Sequence, residues 1–251
     1  TDMSTFFGQA ERIAAGDWLA REPLYPYHSW MKSIPREEWA RWRPPGMFYQ
    51  PPLYSYGLAA LMSDGLNAEV CARWLQLLLG VAACGLMYGL AGSLLGRATG
   101  LAAGLIQALY GPLLMSESQL LRDGPILFWM LLVLWLAADT LARTRRAALA
   151  PADWRWRAWL LGLLLGIQAM LHEAALFLGL IVTLFGVATA LDRWGRARAL
   201  QWVALLALGA LLGFGPMLAR NLAVGAPLGP TYFGSALAFA TSNTPDNPDD
   251  T

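Results

Sequence analysis

Apolar residues run along this chain in long uncharged blocks, and polar residues gather in the gaps between them. No charge falls within 126–138, 174–191 or 203–218. About 20 apolar residues in a helix cross a hydrocarbon core of roughly 30 Å. The blocks predict six helical spans, at 72–95, 98–115, 124–141, 158–171, 174–191 and 199–218. The fourth and fifth read as two passes with a turn near His172. Fused, they would make a helix roughly 50 Å long at about 1.5 Å per residue, too long for a bilayer. The first 70 residues follow another rhythm. Phe6, Phe7, Ala10, Ile13 and Ala14 recur at helical spacing within 4–20, and Gly16-Asp17 ends that run. An aromatic stretch follows, with Tyr25, Tyr27, Trp30, Trp39, Trp42, Phe48 and Tyr49, residue types that favour the membrane–water interface. Pro44-Pro45 and Pro51-Pro52 frame 48–50 as loop. A short apolar helix over 53–62 then stops at Ser63-Asp64-Gly65.

Composition sharpens this picture. The chain is 57% hydrophobic and 14% charged, with a mean hydropathy of +0.42, which fits neither a disordered chain nor a water-soluble domain. The expected fold is an all-α polytopic membrane protein, because lipid leaves backbone groups no partner outside a helix. Residues 1–70 form an outer loop with interfacial helices, 71–220 a bundle of about six spans, and 221–251 the start of a following outer segment. The chain begins at Thr1 and ends in a polar stretch, which reads as a fragment shortened at both ends. A net charge of +1 leaves no nucleic-acid footprint. Cys71 and Cys84 fall on one predicted helix, roughly 20 Å apart, too far to bond to each other. Gly92, Gly96, Gly100 and Gly104 recur every fourth residue, which suits either a close helix contact or a turn near Gly96-Arg97.

Charge sets the orientation. Arg97, then Arg143 to Arg157, then Arg193 to Arg198 crowd alternate connections, so those connections face the cytosol. The opposite connections place Asp2, Glu117, Arg122, Asp123, His172, Glu173, Arg220 and Asn221 at one outer face. Ionisable groups at membrane depth are costly and usually face a cavity or a partner. A guanidinium there matches the oxygens of a phosphate, and a carboxylate can serve as a general base for a hydroxyl or an amine. The alternative is ordinary boundary charge at helix ends. With two histidines in all, no metal-spaced pair is legible, and no phosphate loop or Ser-His-Asp arrangement is either. A donor should then come from the membrane.

Several stretches resemble a known family. They are Asp-Met-Ser-Thr-Phe-Phe-Gly-Gln-Ala (2–10), Arg-Ile-Ala-Ala-Gly-Asp-Trp (12–18) and Phe-Tyr-Gln-Pro-Pro-Leu-Tyr-Ser-Tyr (48–56). Arg73, Leu-Leu-Arg-Asp (120–123), His-Glu (172–173) and Leu-Ala-Arg-Asn-Leu-Ala-Val-Gly (218–225) complete the set. Together they resemble the GT-C membrane glycosyltransferases of the family 39 type, which include protein O-mannosyltransferases and lipid A aminoarabinose transferases. The resemblance implies a GT-C-like helical bundle under the interfacial helices of a long first outer loop. It implies inverting transfer of a sugar from a polyprenyl-phosphate donor to a protein, lipid or glycan acceptor at the outer, periplasmic face of a bacterial inner membrane. Asp2 matches the catalytic acid of the first loop. Arg122 and Arg220 are the candidates for donor phosphate, and Tyr49, Gln50, Tyr54, Glu117, Asp123, His172, Glu173 and Asn221 for the substrate cavity. No cofactor is required by the pattern, and a divalent cation is left open. His172 departs from the Arg that many relatives carry before Glu. Ser-Asn-Thr-Pro (242–245) lacks a Gly found in relatives, and 25–44 reads as an insertion. Two other classes remain. A transporter or flippase would place polar groups at the midplane of broken helices. A non-catalytic membrane partner would not need the outer carboxylates.

Overall fold

The computed structural model of the chain describes residues 2–21, 35, 37, 46–62, 67–146 and 151–228. These residues fold as helices: α1 (Asp2–Ala14), α2 (Leu53–Met62), α3 (Ala68–Leu95), α4 (Arg97–Ala108), α5 (Gly111–Ser118), α6 (Asp123–Arg145), α7 (Pro151–Ala169), α8 (Ala174–Trp194) and α9 (Arg196–Val224). Local chemistry sets the boundaries. The Asn67 side chain accepts the Val70 amide proton at 3.2 Å and starts α3. Gly96, at φ +98° and ψ 158°, and Gly195, at φ +83° and ψ −178°, take an extended positive-φ conformation open essentially to glycine alone, and there α3 and α8 end.

The chain divides into two units, 1–66 with 217–251, and 67–216. Pro216 lies inside α9 at that boundary. Each unit is described by itself.

The protein is an integral membrane protein. Helices α3, α6, α8 and α9 are each long and apolar enough to cross a bilayer, and α4 with α5 makes a fifth candidate bent by 48°. Outward surfaces in the second unit are apolar: Val81 is 68% exposed and Phe177 73%. Such surface belongs in hydrocarbon. The fourth expected span, 158–171, corresponds to α7, which begins at Pro151 rather than near 158 and carries Asp153, Arg155 and Arg157 in its first two turns. It does not join the candidate spans. Trp154, Ala158, Leu161 and Leu165 of α7 are instead buried in the core of the second unit.

Glycine sets the closest contacts in that unit. A Cβ on Gly100 of α4 would strike the backbone of Tyr88 and Gly92 on α3. The four-residue ladder is therefore both a turn, at Gly96, and a close contact across it. A second interlock joins α7 to α9. Gly162 and Gly166 sit against the Leu206 and Ala210 backbones, and Gly209 and Gly213 against those of Trp159 and Leu163. Small residues let helix backbones approach, which is how helices associate where lipid removes the hydrophobic drive. Gly186 of α8 is covered by the Trp202 ring, and Trp202 and Trp194 lie 5.0 and 5.2 Å from Trp154.

The same contacts give helix direction. Gly162 meets Leu206 and Gly166 meets Ala210, so α7 and α9 run parallel. Arg157, near the start of α7, pairs with Asp139, near the end of α6, at 2.6 Å, so these two are antiparallel. Gly80 and Gly124 both border Glu117, and Gly89 meets Trp135, so α3 and α6 are parallel. The start of α6, the α5–α6 turn and the α7–α8 turn therefore share one end of the second unit.

Candidate functional site

That shared end holds five of the residues singled out in the sequence: Glu117, Arg122, Asp123, His172 and Glu173. The bend between α4 and α5 and the tight turn from 119 to 122 place the first three. Leu120, at φ +53°, takes the left-handed conformation, uncommon for a branched residue. It is fully buried, so packing offsets that strain. The Ser116 hydroxyl donates to Asp123 Oδ2 at 2.9 Å and ties the end of α5 to the start of α6. Glu117 lies against Gly80, where a methyl would collide with its carboxylate, and against Gly124. Gln76, one turn before Gly80, donates from Nε2 to the Leu121 carbonyl. It is 2% exposed, and its Oε1 has no hydrogen-bond partner among the described residues. Gln76, Gly80 and Ser116 were not singled out in the sequence. The visible signal was an amide within the apolar block at 72–95.

His172 closes the turn between α7 and α8. Its Nδ1 accepts the Ala174 amide proton at 3.0 Å, satisfying a donor that the start of α8 leaves open. Glu173 follows it, half-buried. Among the residues named at this end, the chemistry available is three carboxylates, one guanidinium, one imidazole, one amide and one hydroxyl, set among apolar helices. Among the described residues no group of three or more His, Cys, Asp or Glu side chains is arranged to hold a metal ion. Cys71 and Cys84 are both free, on α3.

The first unit holds the other named residues. Asp2 opens α1, and its side chain lies outside the described residues. The Ser-Asn-Thr-Pro stretch at 242–245 and nearly all of 25–44 also lie outside them. Tyr54 is buried, its ring meeting Phe6 edge-to-face at 5.0 Å, which seats α2 on α1. Tyr49 and Gln50 are half-buried in the loop before α2. Arg220 organises this unit. Its Nε donates to the Leu19 carbonyl at 2.8 Å, its Nη2 to Ala20 at 2.9 Å, and its Nη1 to Gly46 and to Asn221 Oδ1. The guanidinium also stacks 4.3 Å over the Phe48 ring. Fully buried Asn221 donates to the Pro227 carbonyl at 3.0 Å. Gly46 has φ +69°, and a Cβ there would strike Val224. These bonds give Arg220 an architectural role, since they use most of its five N–H donors. Tyr56 donates its hydroxyl to the Trp18 carbonyl at 2.6 Å. Burial pushes its phenol above the usual range, against the opposing charge of Arg220.

Comparison with models of known families, with curated proteins and with solved structures finds no match.

Proposed function

We propose that this protein is an integral-membrane glycosyltransferase that moves a sugar from a polyprenyl-phosphate donor to an acceptor at the outer face of a bacterial inner membrane. The observation that supports it is the polar end of the second unit, where Glu117, Arg122 and Asp123 gather beside Gln76 with apolar helices around them. A lipid phosphate is a competent leaving group. The enzyme then needs a base, a cation near the phosphate and exclusion of water. In this reading Asp2 takes the proton of an acceptor hydroxyl or amine. The acceptor atom attacks the anomeric carbon from the face opposite the phosphate, the carbon–oxygen bond to phosphate breaks, and the configuration inverts. Arg122 takes the phosphate contact, while Arg220 holds the fold of the first unit. Glu117, Asp123, His172 and Glu173 are the substrate-cavity candidates of the second unit, and Tyr49, Gln50, Tyr54 and Asn221 those of the first.

The test is transfer by the full chain in lipid, with a panel of radiolabelled polyprenyl-phosphate sugars and candidate acceptors. One donor should turn over, and Asp2→Asn should lower transfer by about 10²–10⁴-fold, the range of general-base catalysis. Gly80→Ala sharpens the result. Its methyl displaces a flexible carboxylate while gaining up to about 1 kcal/mol of helix propensity. Transfer should therefore fall about tenfold or more in a protein as stable as the parent. Unchanged transfer in Asp2→Asn would remove Asp2 from the chemistry. No turnover by folded protein would favour a second reading, a transporter or flippase, to which the broken pair α4–α5 lends support.

A further inference from the structure

At the opposite end of the second unit, α3, α6 and α8 border an open cleft of about 450 Å³, with Trp154 and Trp202 in its wall. That volume lies within the roughly 300–1,000 Å³ of small-ligand sites. Leu90, Leu134, Ile181 and Phe185 line it further from the helix ends. Thr140, Thr144 and Thr189 also line it, but each donates its hydroxyl proton to the carbonyl four residues back on its own helix. The Trp202 Nε1 has no hydrogen-bond partner among the described residues but is buried against Gly186, so the wall offers chiefly methyls and rings. Water gains little in such a space, and the surrounding helices face hydrocarbon.

Charge at the mouth is one-sided. Leu94, Thr144 and Thr189 lie near the C-terminal ends of their helices, where the connections begin. Residues 96–97, 139–157 and 192–198 carry nine arginines against three acids. Asp139 is held by Arg143 and Arg157, and Asp192 by Arg193. Arg97, Arg146 and Arg196 make no ion pair among the described residues. A ligand with a hydrocarbon tail and an anionic head complements both parts. We propose that this cleft seats one acyl chain of an anionic phospholipid, with its phosphate against the arginines of the adjoining connections. The site lies at the other end of the bundle from Glu117 and Asp123, and it does not depend on the transferase reading.

The test uses the full chain in phosphatidylcholine vesicles carrying a minor share of phosphatidylglycerol with a photoreactive diazirine in its acyl chain. Crosslinks mapped by mass spectrometry should concentrate on peptides bearing Leu94, Thr144 and Thr189. Labelling should exceed that by a matched diazirine phosphatidylcholine by about fivefold or more, as one arginine at an anionic headgroup implies. Ala138→Phe fills the cleft and should reduce labelling to the phosphatidylcholine level, while Arg97→Gln with Arg196→Gln should remove the headgroup preference alone. Equal labelling by both lipids would overturn the anionic selection. Labels spread over all lipid-facing helices would overturn the site. Displacement by a polyprenyl phosphate but not by phosphatidylglycerol would assign the cleft to that lipid and overturn the proposal.

Discussion

The two units are held together by opposite means. In the first, one guanidinium gathers backbone carbonyls from residues 19, 20 and 46 and stacks on Phe48. In the second, glycines bring the α7 and α9 backbones together with no side chain between them. A segment with little regular structure leaves carbonyls unsatisfied, and a cation of many donors supplies what a helix supplies by itself. Helices in lipid have their backbone bonds already made, so only close contact remains to distinguish one partner from another.

Arg220→Met should break the first arrangement with the largest effect. It leaves several buried carbonyls without a donor at about 1–3 kcal/mol each. Amide exchange should rise across 19–21 and 46–48 while the α7–α9 contact stays protected. Rising exchange in both units would show that the two are not independent. Gly166→Ala attacks the second arrangement. Its methyl meets backbone rather than a flexible side chain, so about 1–3 kcal/mol should be lost. Unfolding in detergent would report that loss, and an unchanged midpoint would mean that the helices separate at little cost. Tyr56 gives the smallest effect. Because its phenol is raised in the folded unit, the native state holds the proton more tightly than the unfolded chain. That contribution is complete below the unfolded value of about 10 and is lost as pH rises through the higher folded value. Exchange in the first unit should therefore accelerate above about pH 10, and Tyr56→Phe should lack that phase.

Hydropathy alone placed most of the helices. The blocks at 72–95, 124–141, 174–191 and 199–218 each fall within a long apolar helix, and the turn at His172 separates α7 from α8. The same rule misjudged the start of α7. Arg155 and Arg157 read as loop charge, yet both lie on the helix, where Arg157 is buried against Asp139 and Thr140. Pairing cancels a charge that a residue-by-residue scale counts at full cost. The α7–α9 interlock was written as two small four-residue spacings, 162/166 and 209/213, but nothing in one sequence says which helix faces which. Gln76 and Gly80 joined Glu117 for a similar reason. A glycine that admits a carboxylate is recognisable only once the partner helix is in place. Arg220 was legible as important, but the carbonyls it binds come from loops whose course no periodicity describes.

Burial of α7 also bears on how the chain is made. A charged residue at the centre of a lone helix costs about 2.5–3.5 kcal/mol on insertion scales, and α7 carries three charges in its first two turns. During synthesis α6 emerges first, with Asp139 near its end. It stands as a docking partner for the Arg157 that follows. The order in which helices leave the ribosome therefore supplies Arg157 with its counterpart before it must face the acyl chains alone.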